Sequence, residues 1–389
     1  MVKTQDAFKA KSIKVPFFMP YVTTQDRDAV NKALNEPLLT DGPILRKFEY
    51  DFGKFTGAKY SIGVSNATAA LFLSLKALGI EKNDEVIVPD MTFVATGSPV
   101  LFCGAKPVLS DVNSDDMNIS IESIENCITK KTKAIIPVHF AGKACSIDKI
   151  KKLAVSKNLS IVEDCAHAIG TTFKGKHVGS FGDTGCFSFY PTKNFTTIEG
   201  GMVTTNSKTI SNYITTYRNH GITKSLLQRF SHGKPWDYDI IEPGHNYRID
   251  EVRSALGINQ LKRISVMNDL RRKAAKYYIE QLSQIDGIEV PQLSKSDENV
   301  YHLFIIKIKE GFGISRDKLY EKLLKKGIRT SVHYKPLHMF TIFQNRSKMD
   351  RLDNSTKLYN EILSLPMFPT LTKRQQDYVV KCIKDAHLD

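Results

Sequence analysis

Apolar stretches alternate with helix-like patterns between about residues 60 and 205. We predict seven short strands there: Tyr60–Ser65, Glu85–Pro89, Lys106–Val112, Ala134–Phe140, Ser160–Cys165, Gly185–Tyr190 and Met202–Thr205. Helical patterns, such as Ala67–Leu78 and Ile147–Ser156, separate several of them. This alternation predicts an α/β fold with a mostly parallel central sheet and helices on both faces. Ligands of such sheets bind beyond the carboxyl ends of the strands, so residues that follow a strand are the first functional candidates.

The pattern changes after about residue 250. A helical pattern over Asp250–Arg263 begins with an Asp at its N-cap, and a long charged helix continues to about Leu282. The later predicted elements are a strand, a helix, a short strand and a final helix, namely Tyr301–Ile308, Ser315–Lys326, Thr330–Tyr334 and Thr372–Asp385. We therefore predict a large domain over residues 1–255 and a smaller C-terminal α+β domain over residues 256–389.

Length and composition are those of a chain with a substantial core. The 389 residues, 41% of them hydrophobic, are too many for one compact unit. No run of about 18 apolar residues exists, so we expect no membrane span. The segment Met1 to Lys14 lacks the apolar core of a signal peptide. The six cysteines form no Cys-x-x-Cys pair and no metal spacing, which favours a reducing cytoplasm and no bound metal.

The formal net charge of +14 favours anionic partners. Nucleic acid is one such partner, but the sequence has neither a helix-turn-helix nor a clustered basic stripe. Lysines are spread along the chain, and small groups such as Lys325 and Lys326 are typical of solvated helix faces. We therefore expect no nucleic-acid role, and interpret the charge as suited to an anionic small molecule or to solubility.

Lys193 follows the end of an apolar strand. In Ser188-Phe-Tyr-Pro-Thr-Lys the strand ends at Tyr190, Pro191 interrupts it, and the lysine comes soon after. A buried lysine costs free energy unless it is neutral, and desolvation lowers its pKa towards that of a nucleophilic amine. A Schiff base to an aldehyde would remove the charge. On its own, the position also suits an ordinary surface lysine in a loop.

Asp164 lies at the end of another apolar strand. A carboxylate at the mouth of the sheet can meet a cationic heteroaromatic nitrogen. Pyridoxal phosphate (PLP) needs such a partner, because its ring withdraws electrons only while an anion keeps the pyridine nitrogen protonated. Asp164 is equally suited to capping a helix at Ala166–Ile169. His167 can hydrogen-bond the ring hydroxyl, or serve as a structural donor.

A strand–helix junction supplies donors for a phosphate. Free backbone N–H groups and the helix dipole in Ser65-Asn-Ala-Thr-Ala-Ala favour an anion, and Thr68 and Ser188 add hydroxyl groups. Many junctions share this pattern, so alone it indicates little. Phe93 follows the strand Glu85–Pro89, where its ring can lie on a cofactor ring or pack in the core.

Several further segments accompany these residues along the chain. They are Glu163-Asp-Cys-Ala-His-Ala-Ile-Gly, Glu199-Gly-Gly-Met-Val, Arg218-Asn-His-Gly, Gly244-His-Asn-Tyr-Arg-Ile-Asp and Ala255-Leu-Gly-Ile-Asn-Gln-Leu. Taken in order from Leu39 to Pro369, the set resembles the DegT/DnrJ/EryC1/StrS sugar aminotransferases, a branch of the fold-type I PLP enzymes of the aspartate aminotransferase superfamily. Any single segment is weak, whereas the ordered set is specific.

The resemblance implies a role for each matching residue. It makes Lys193 the Schiff-base lysine and Asp164 the partner of the ring nitrogen. It places His167 near the ring hydroxyl and Phe93 on the ring face. The phosphate cradle falls on three residues: Ala67, Thr68 and Ser188. The family's usual Gly-Thr is Ala67-Thr68 here, and this change keeps the backbone N–H.

The resemblance also implies a homodimer with shared active sites. Asn246 matches the residue that reaches the phosphate from the neighbouring subunit, and Arg248 lies beside it. Tyr190 stands where a histidine is common, which alters contacts to the sugar or the cofactor.

The implied reaction moves an amino group from an amino acid, glutamate by analogy, to a nucleotide-linked keto sugar for amino-sugar and polysaccharide biosynthesis. Lys193 would act as the general base in a ping-pong sequence. The segment Thr330-Ser-Val-His-Tyr-Lys-Pro-Leu-His resembles that of members that aminate carbon 4 of a 4-keto-6-deoxy sugar. His333 and His338 are then candidate sugar contacts, or residues that only pack.

Three other hypotheses remain at this stage. A carbon-3 aminotransferase is the first, although those members more often carry a different loop at the Thr330 segment. A PLP-dependent sugar dehydratase of the same fold would have histidine in place of Lys193. A DNA-binding regulator fits the charge but lacks the motifs.

Overall fold

The computed structural model describes residues 13–224, 229, 234–293, 299–349 and 351–388. Its strands in chain order are β1 Tyr60–Val64, β2 Glu85–Pro89, β3 Lys106–Ser110, β4 Thr132–Ile135, β5 Ser160–Asp164, β6 Thr172–Phe173, β7 Lys176–His177, β8 Thr184–Ser188, β9 Gly201–Thr205, β10 Ile288–Glu289, β11 Phe304–Ile308, β12 Lys348–Met349 and β13 Ile362–Leu365. The largest sheet has eight of these strands, in the order β1-β9-β8-β5-β4-β2-β3-β12. β6 and β7 form a separate two-stranded ribbon.

The eight-stranded sheet is mostly parallel. β9 runs antiparallel to its neighbours β1 and β8, whereas the remaining pairs are parallel. Every residue of β2, β8 and β9 is buried, as expected for strands that are covered by helices on both faces. The predicted α/β architecture is therefore confirmed, and the carboxyl ends of the parallel strands meet at one edge.

The seven strands predicted between residues 60 and 205 agree with the observed ones to within a few residues, with one larger shift. We predicted a strand over Ala134–Phe140, but β4 covers Thr132–Ile135. Pro137 lacks the N–H that a continuing ladder needs, and the chain beyond it forms only an isolated bridge between Val138 and Asp164.

Helices flank the sheet and connect its strands. Their bounds in the first part of the chain are Thr24–Ala33, Pro43–Thr56, Ala67–Ala77, Val94–Phe102, Ile121–Cys127, Ile147–Lys157 and Lys208–Tyr217. Those further along are Glu251–Leu261, Ile264–Leu282, Arg316–Lys325, Thr341–Gln344, Asp353–Glu361 and Lys373–Leu388. Short 3₁₀ turns cover Phe140–Gly142, Glu310–Phe312 and Leu337–Met339. The expected N-cap at Asp250 is confirmed, since its side chain accepts a hydrogen bond from Arg253 N at 2.7 Å.

The C-terminal part of the chain has a hydrophobic core of its own. Its three-stranded antiparallel sheet has the order β10-β11-β13. Tyr278 and Phe304 are fully buried at its centre, with ring centroids 5.1 Å apart. The predicted domain boundary between residues 255 and 256 stays a prediction, and it falls inside the helix Glu251–Leu261.

The predicted strand over Thr330–Tyr334 is wrong. This segment forms only an isolated bridge, in which Ser331 pairs with Ser364 at the free edge of β13. The chain then leaves the small sheet, because the N–H of Leu337 donates a hydrogen bond to the carbonyl of Asp90, which lies just beyond the end of β2. Residues 330–349 and 351–355, referred to below as the C-terminal segment, are thereby carried to the edge of the large sheet where ligands are expected.

Among the described residues, no helix is both long enough and apolar enough to cross a membrane. The expected absence of a signal peptide rests largely on residues 1–12, which lie outside the described part. The cytoplasmic location inferred from cysteine usage stays a prediction.

Candidate active site

A cavity of ≈ 460 Å³ lies at the carboxyl ends of the parallel strands. β5 ends there at Asp164 and β8 ends at Ser188. Nine of the residues singled out from the sequence line this cavity: Ala67, Thr68, Phe93, Asp164, His167, Ser188, Tyr190, Lys193 and His333. Parallel strands place their carboxyl ends at one edge of a sheet, which explains why residues so distant in sequence converge.

Asp164 is the buried anion of the cavity, with only 4% of its surface exposed. Its Oδ2 accepts a hydrogen bond from Thr96 Oγ1 at 2.8 Å, and its Oδ1 accepts one from Ala166 N at 3.0 Å. Burial raises the pKa of this carboxyl above its usual value, although both hydrogen bonds and the Lys193 cation oppose the shift. The helix that Asp164 was to cap does not form, since residues 166–169 are in turns or irregular structure.

Lys193 follows β8 in a turn in which its N–H donates to the carbonyl of Tyr190 at 2.9 Å. Burial lowers the pKa of its amine to about 8, and the nearby Asp164 carboxylate opposes part of that shift. A substantial fraction of the amine is then neutral near pH 7.5, as attack on an aldehyde requires.

The first turn of the helix Ala67–Ala77 presents free N–H groups that suit an anion. Ala67 and Thr68 occupy its first two positions, whose N–H groups have no acceptor within a helix. Asn66 caps the third, accepting from Ala69 N at 2.8 Å. Gly201 lets β9 pass close beside this turn, because a Cβ there would lie 2.6 Å from the carbonyl carbon of Asn66.

His167 is buried beside Asp164 and is held by a residue from the C-terminal segment. Its Nε2 lies 3.0 Å from the hydroxyl of Tyr334, and the two rings are stacked with centroids 5.9 Å apart. Burial and the Lys193 cation hold the pKa of His167 well below its usual value, so the ring is neutral. Its Nδ1 is buried without a hydrogen-bond partner among the described residues.

Aromatic rings with exposed faces line the cavity. Phe93 is 54% exposed, so it does not pack in the core as the sequence also allowed. Its ring lies 5.8 Å from that of Tyr334. Tyr190 is 47% exposed. These rings are free to stack on a planar or apolar ligand face.

His333 lies in the cavity wall. Its Nδ1 is 2.9 Å from Ser364 Oγ, and its ring stacks on Phe17 at 5.4 Å. Burial, with the Lys193 cation, lowers the pKa of His333 to about 4, so this side chain too is neutral.

Three of the singled-out residues do not line this cavity. Asn246 is exposed and bridges to Asn219, whose side chain also accepts a hydrogen bond from Arg248. His338 instead forms an ion pair with the buried Asp90, with Nδ1 2.6 Å from Oδ2. Their functional roles stay predictions.

Sequence reasoning missed several residues of the site. Tyr334 was within the segment compared with carbon-4 enzymes, but only its two histidines, His333 and His338, were chosen from it. Thr96 lies inside a helix and carries no sequence signal. Glu199 lines the cavity as a second carboxylate, and the Glu199-Gly-Gly segment in which it stands was a usable signal.

A second buried cluster lies behind the site. Ligand atoms of His139, Glu163 and Cys165 are within 4.8 Å of one another. The Glu163 carboxylate already accepts hydrogen bonds from three backbone N–H groups, those of Gly179, Phe181 and Gly182, and contacts His139 Nε2 at 3.0 Å. These bonds saturate the carboxylate and tie β5 to the chain leading into β8.

The residues present fit PLP. The helix start at Ala67 suits a phosphate, Asp164 a protonated ring nitrogen, and Lys193 an aldehyde. The unpartnered Nδ1 of the buried His167 suits the ring hydroxyl, because a buried polar atom without a partner is costly unless a ligand satisfies it. Phe93 offers its face to a ring.

Comparison with known proteins also indicates a PLP-dependent enzyme. The DegT/DnrJ/EryC1/StrS aminotransferase family matches residues 20–384. The spore coat polysaccharide biosynthesis protein SpsC of Bacillus subtilis is 35% identical over 375 residues, which are 95% of this chain and 96% of that protein.

Solved structures of sugar aminotransferases are also similar to this chain. The putative sugar aminotransferase Spr1654 from Streptococcus pneumoniae in its PMP form has a TM-score of 0.90 at 30% identity, covering 96% of this chain and 99% of that one. Its PLP form is similar as well. Helicobacter pylori PseC, an aminotransferase involved in the biosynthesis of pseudoaminic acid, has a TM-score of 0.89 at 29% identity, with the same coverage. The chain therefore belongs to the DegT/DnrJ/EryC1/StrS aminotransferase family, and is a PLP-dependent sugar aminotransferase.

Proposed function

We propose that this enzyme transfers the amino group of glutamate to carbon 4 of a nucleotide-linked 4-keto-6-deoxyhexose. The observation that carries the proposal is the composition of the cavity wall. His333 and Tyr334, from the segment that resembles carbon-4 enzymes, line the same cavity as Lys193 and Asp164. The part of the chain expected to meet the sugar thus lies beside the amine expected to do the chemistry.

Relatives support a role in polysaccharide or amino-sugar biosynthesis. SpsC is named for spore coat polysaccharide biosynthesis, and PseC for the biosynthesis of pseudoaminic acid. We infer that the product is an amino sugar made for a larger glycan.

When bound, PLP supplies an aldehyde for Lys193 and an electron-withdrawing ring for the carbanion-like transition state. Asp164 keeps the ring nitrogen protonated, and the desolvation that raises its pKa also strengthens its attraction for a cation. Lys193, with its pKa lowered to about 8, removes a proton from the α-carbon of the amino donor and later delivers one to the acceptor carbon.

Neutral side chains face the sugar. His333 is uncharged at neutral pH and can hydrogen-bond a hydroxyl or the keto oxygen through Nε2, since its Nδ1 is engaged by Ser364. The exposed face of Tyr190 suits the apolar face of a hexose ring.

The test is to incubate the pure protein with glutamate and, separately, 4-keto and 3-keto nucleotide sugars. We expect an amino sugar and an equal amount of 2-oxoglutarate only with the 4-keto compounds, measured by mass spectrometry. Amination of the 3-keto panel alone would assign the reaction to carbon 3, and loss of a hydroxyl without gain of an amine would indicate a dehydratase. The Lys193→Ala protein is the control for reaction without enzyme chemistry, and alanine and aspartate replace glutamate as donor controls.

A further inference from the structure

Tyr334 is a partly buried phenol in the cavity wall. It reaches the site from the C-terminal segment, 167 positions from its hydrogen-bond partner His167. Its ring is also within 6.2 Å of Phe140, and within 5.8 Å of Phe93. These contacts fix the ring, so the position of its hydroxyl relative to His167 is determined by packing.

The hydroxyl and the imidazole each need a defined proton. A neutral imidazole has one N–H donor and one bare nitrogen acceptor. His167 uses Nε2 to contact Tyr334, while Nδ1 has no partner in the described part of the chain. The Tyr334 hydroxyl likewise has His167 as its one hydrogen-bond partner there.

Two proton arrangements are compatible with the 3.0 Å contact. If His167 Nε2 carried the proton, it would donate to the phenol, leaving the Tyr334 O–H and the bare Nδ1 both unsatisfied. If Tyr334 donates to a bare Nε2, only the Nδ1 N–H remains without a partner, on a residue that lines the cavity. The first arrangement leaves two polar groups unsatisfied and the second leaves one, so the second arrangement is favoured.

We propose that Tyr334 is a positioning residue that keeps the proton of His167 on Nδ1, so that His167 donates a hydrogen bond to the phenolic oxygen of PLP. The opposite tautomer would turn a bare nitrogen towards an oxygen acceptor, and the two lone pairs would repel. The inference rests on the use of PLP by this enzyme, and is independent of which sugar it aminates.

The direct test is the tautomer of His167 in the holoenzyme. Histidine labelled with ¹⁵N distinguishes a protonated from a bare ring nitrogen by NMR, and the His167→Gln protein identifies the signals of this residue. We expect Nδ1 to be protonated in the wild type. In Tyr334→Phe, which keeps the ring and its packing, we expect the proton to move wholly or partly to Nε2. A wild-type enzyme with the proton on Nε2 would overturn the proposal without any variant.

Cofactor affinity gives a second readout. Tyr334→Phe should weaken PLP binding by about 5- to 10-fold, the loss expected when one hydrogen bond is made less often. Tyr278→Phe is the matched control, because its buried hydroxyl lies in the C-terminal core and has no partner among the described residues. It should leave PLP affinity unchanged.

A double-mutant cycle shows whether Tyr334 acts through His167. In a His167→Ala background, Tyr334→Phe should have no further effect on PLP affinity. An equal loss in both backgrounds would mean that Tyr334 acts by packing alone, and would refute the proposal. Neither readout requires the sugar or the amino donor, so a failure of the proposed substrate leaves this test intact.

Discussion

At the scale of single residues, the chemistry depends on one amine and one carboxylate that burial shifts in opposite senses. Burial favours the neutral form of Lys193, whose pKa falls to about 8, and also favours the neutral form of Asp164, whose pKa rises. The two groups partly offset each other by Coulombic attraction. A site with this pairing is prepared for a ligand that brings both an aldehyde and a cation.

The first prediction concerns Lys193. Lys193→Ala should abolish the half-reaction with glutamate, because both the imine-forming amine and the mobile base are lost. The measurement is 2-oxoglutarate formation at saturating PLP. Lys174→Ala, which removes an exposed lysine paired with Asp148, is the matched control. A rate near that of the wild type for Lys193→Ala would show that the assignment is wrong.

The second prediction is that Asp164→Asn lowers the activity of the enzyme and raises the stability of its fold. The charge on Asp164 acts mainly on the carbanion-like state, so kcat should fall by orders of magnitude while PLP is still bound. Activity retained within about tenfold, roughly 1.4 kcal/mol, would mean that Asp164 is only a structural acceptor.

The expected gain in stability follows from the change in the pKa of Asp164 on folding, which makes the stability of the protein depend on pH. An acid whose pKa is raised on folding binds its proton more tightly in the folded state, so it reduces stability as pH rises from 3.8 through the raised value. In the absence of PLP at pH 7, the Asp164→Asn protein should therefore have a higher melting temperature than the wild type. Asp148→Asn is the surface control, because the pKa of Asp148 is lowered and its loss should not stabilise. A lower melting temperature for Asp164→Asn would contradict the expectation.

At the scale of elements, two carboxylates attach the C-terminal segment to the large sheet. Asp90 follows β2 and accepts from the backbone and ring of His338 and from Ser355 Oγ. Asp111 follows β3 and accepts from the N–H groups of Asn354 and Ser355 at 2.9 Å. Because this segment also carries His333 and Tyr334, these bonds set the far wall of the cavity.

The third prediction is a pH dependence of that attachment. Asp90 raises the pKa of His338 above 6.5, and Asp90 and Asp111 are the charged groups that face it. A raised histidine pKa stabilises the fold fully below about 6.5, and the contribution is lost as pH rises through the raised value. The difference in unfolding free energy between wild type and His338→Gln, from denaturant melts between pH 6 and 9, should therefore shrink with rising pH. A difference that stays constant would show that the ion pair contributes nothing.

The fourth prediction concerns the contact between β9 and the phosphate-binding turn. A Cβ at Gly201 would lie 2.6 Å from the carbonyl carbon of Asn66 and 2.9 Å from Ala67 N. Gly201→Ala should displace the helix start, costing about 1–3 kcal/mol of stability and weakening PLP binding. Equilibrium dialysis and thermal melts measure both effects. Gly311→Ala is the control, because its nearest neighbour is the end of the flexible Asp286 side chain at 3.2 Å. Wild-type PLP affinity in Gly201→Ala would show that the turn tolerates the shift.

At the scale of the whole molecule, the fifth prediction is a homodimer with shared active sites. Asn246 is exposed and does not line the cavity of its own chain. If it contacts the phosphate, as the resemblance implies, it must do so in a second chain. A twofold interface is self-complementary, so each chain would give and receive the same residue.

Subunit mixing tests this arrangement. Lys193→Ala chains and Asn246→Asp chains are each expected to be impaired, the second because an added anion repels the phosphate. If sites are shared, a mixed dimer has one site with both defects and one with neither, so activity should rise above that of either parent. Parental activity in mixtures shown to contain mixed dimers would place Asn246 in its own chain's site.

Much of the site could be read from the sequence because it depends on strand ends. A buried strand is recognisable from its apolar run, and in a parallel sheet the residue after it has a predictable location. Asp164 and Phe93 were found this way. Lys193 needed the resemblance as well, because a lysine in a loop has no distinctive pattern.

Tertiary structure alone determined how these groups are supported. Thr96 donates a hydrogen bond to Asp164, which is 68 positions away in the sequence, and Tyr334 contacts His167, which is 167 positions away. No local sequence pattern encodes contacts between such distant residues. The predicted strand at Thr330–Tyr334 failed for the same reason, since bonds to Asp90 draw the chain away from β13. Sequence periodicity reports which face of an element is buried, whereas the partner that meets that face is chosen by packing of the whole chain.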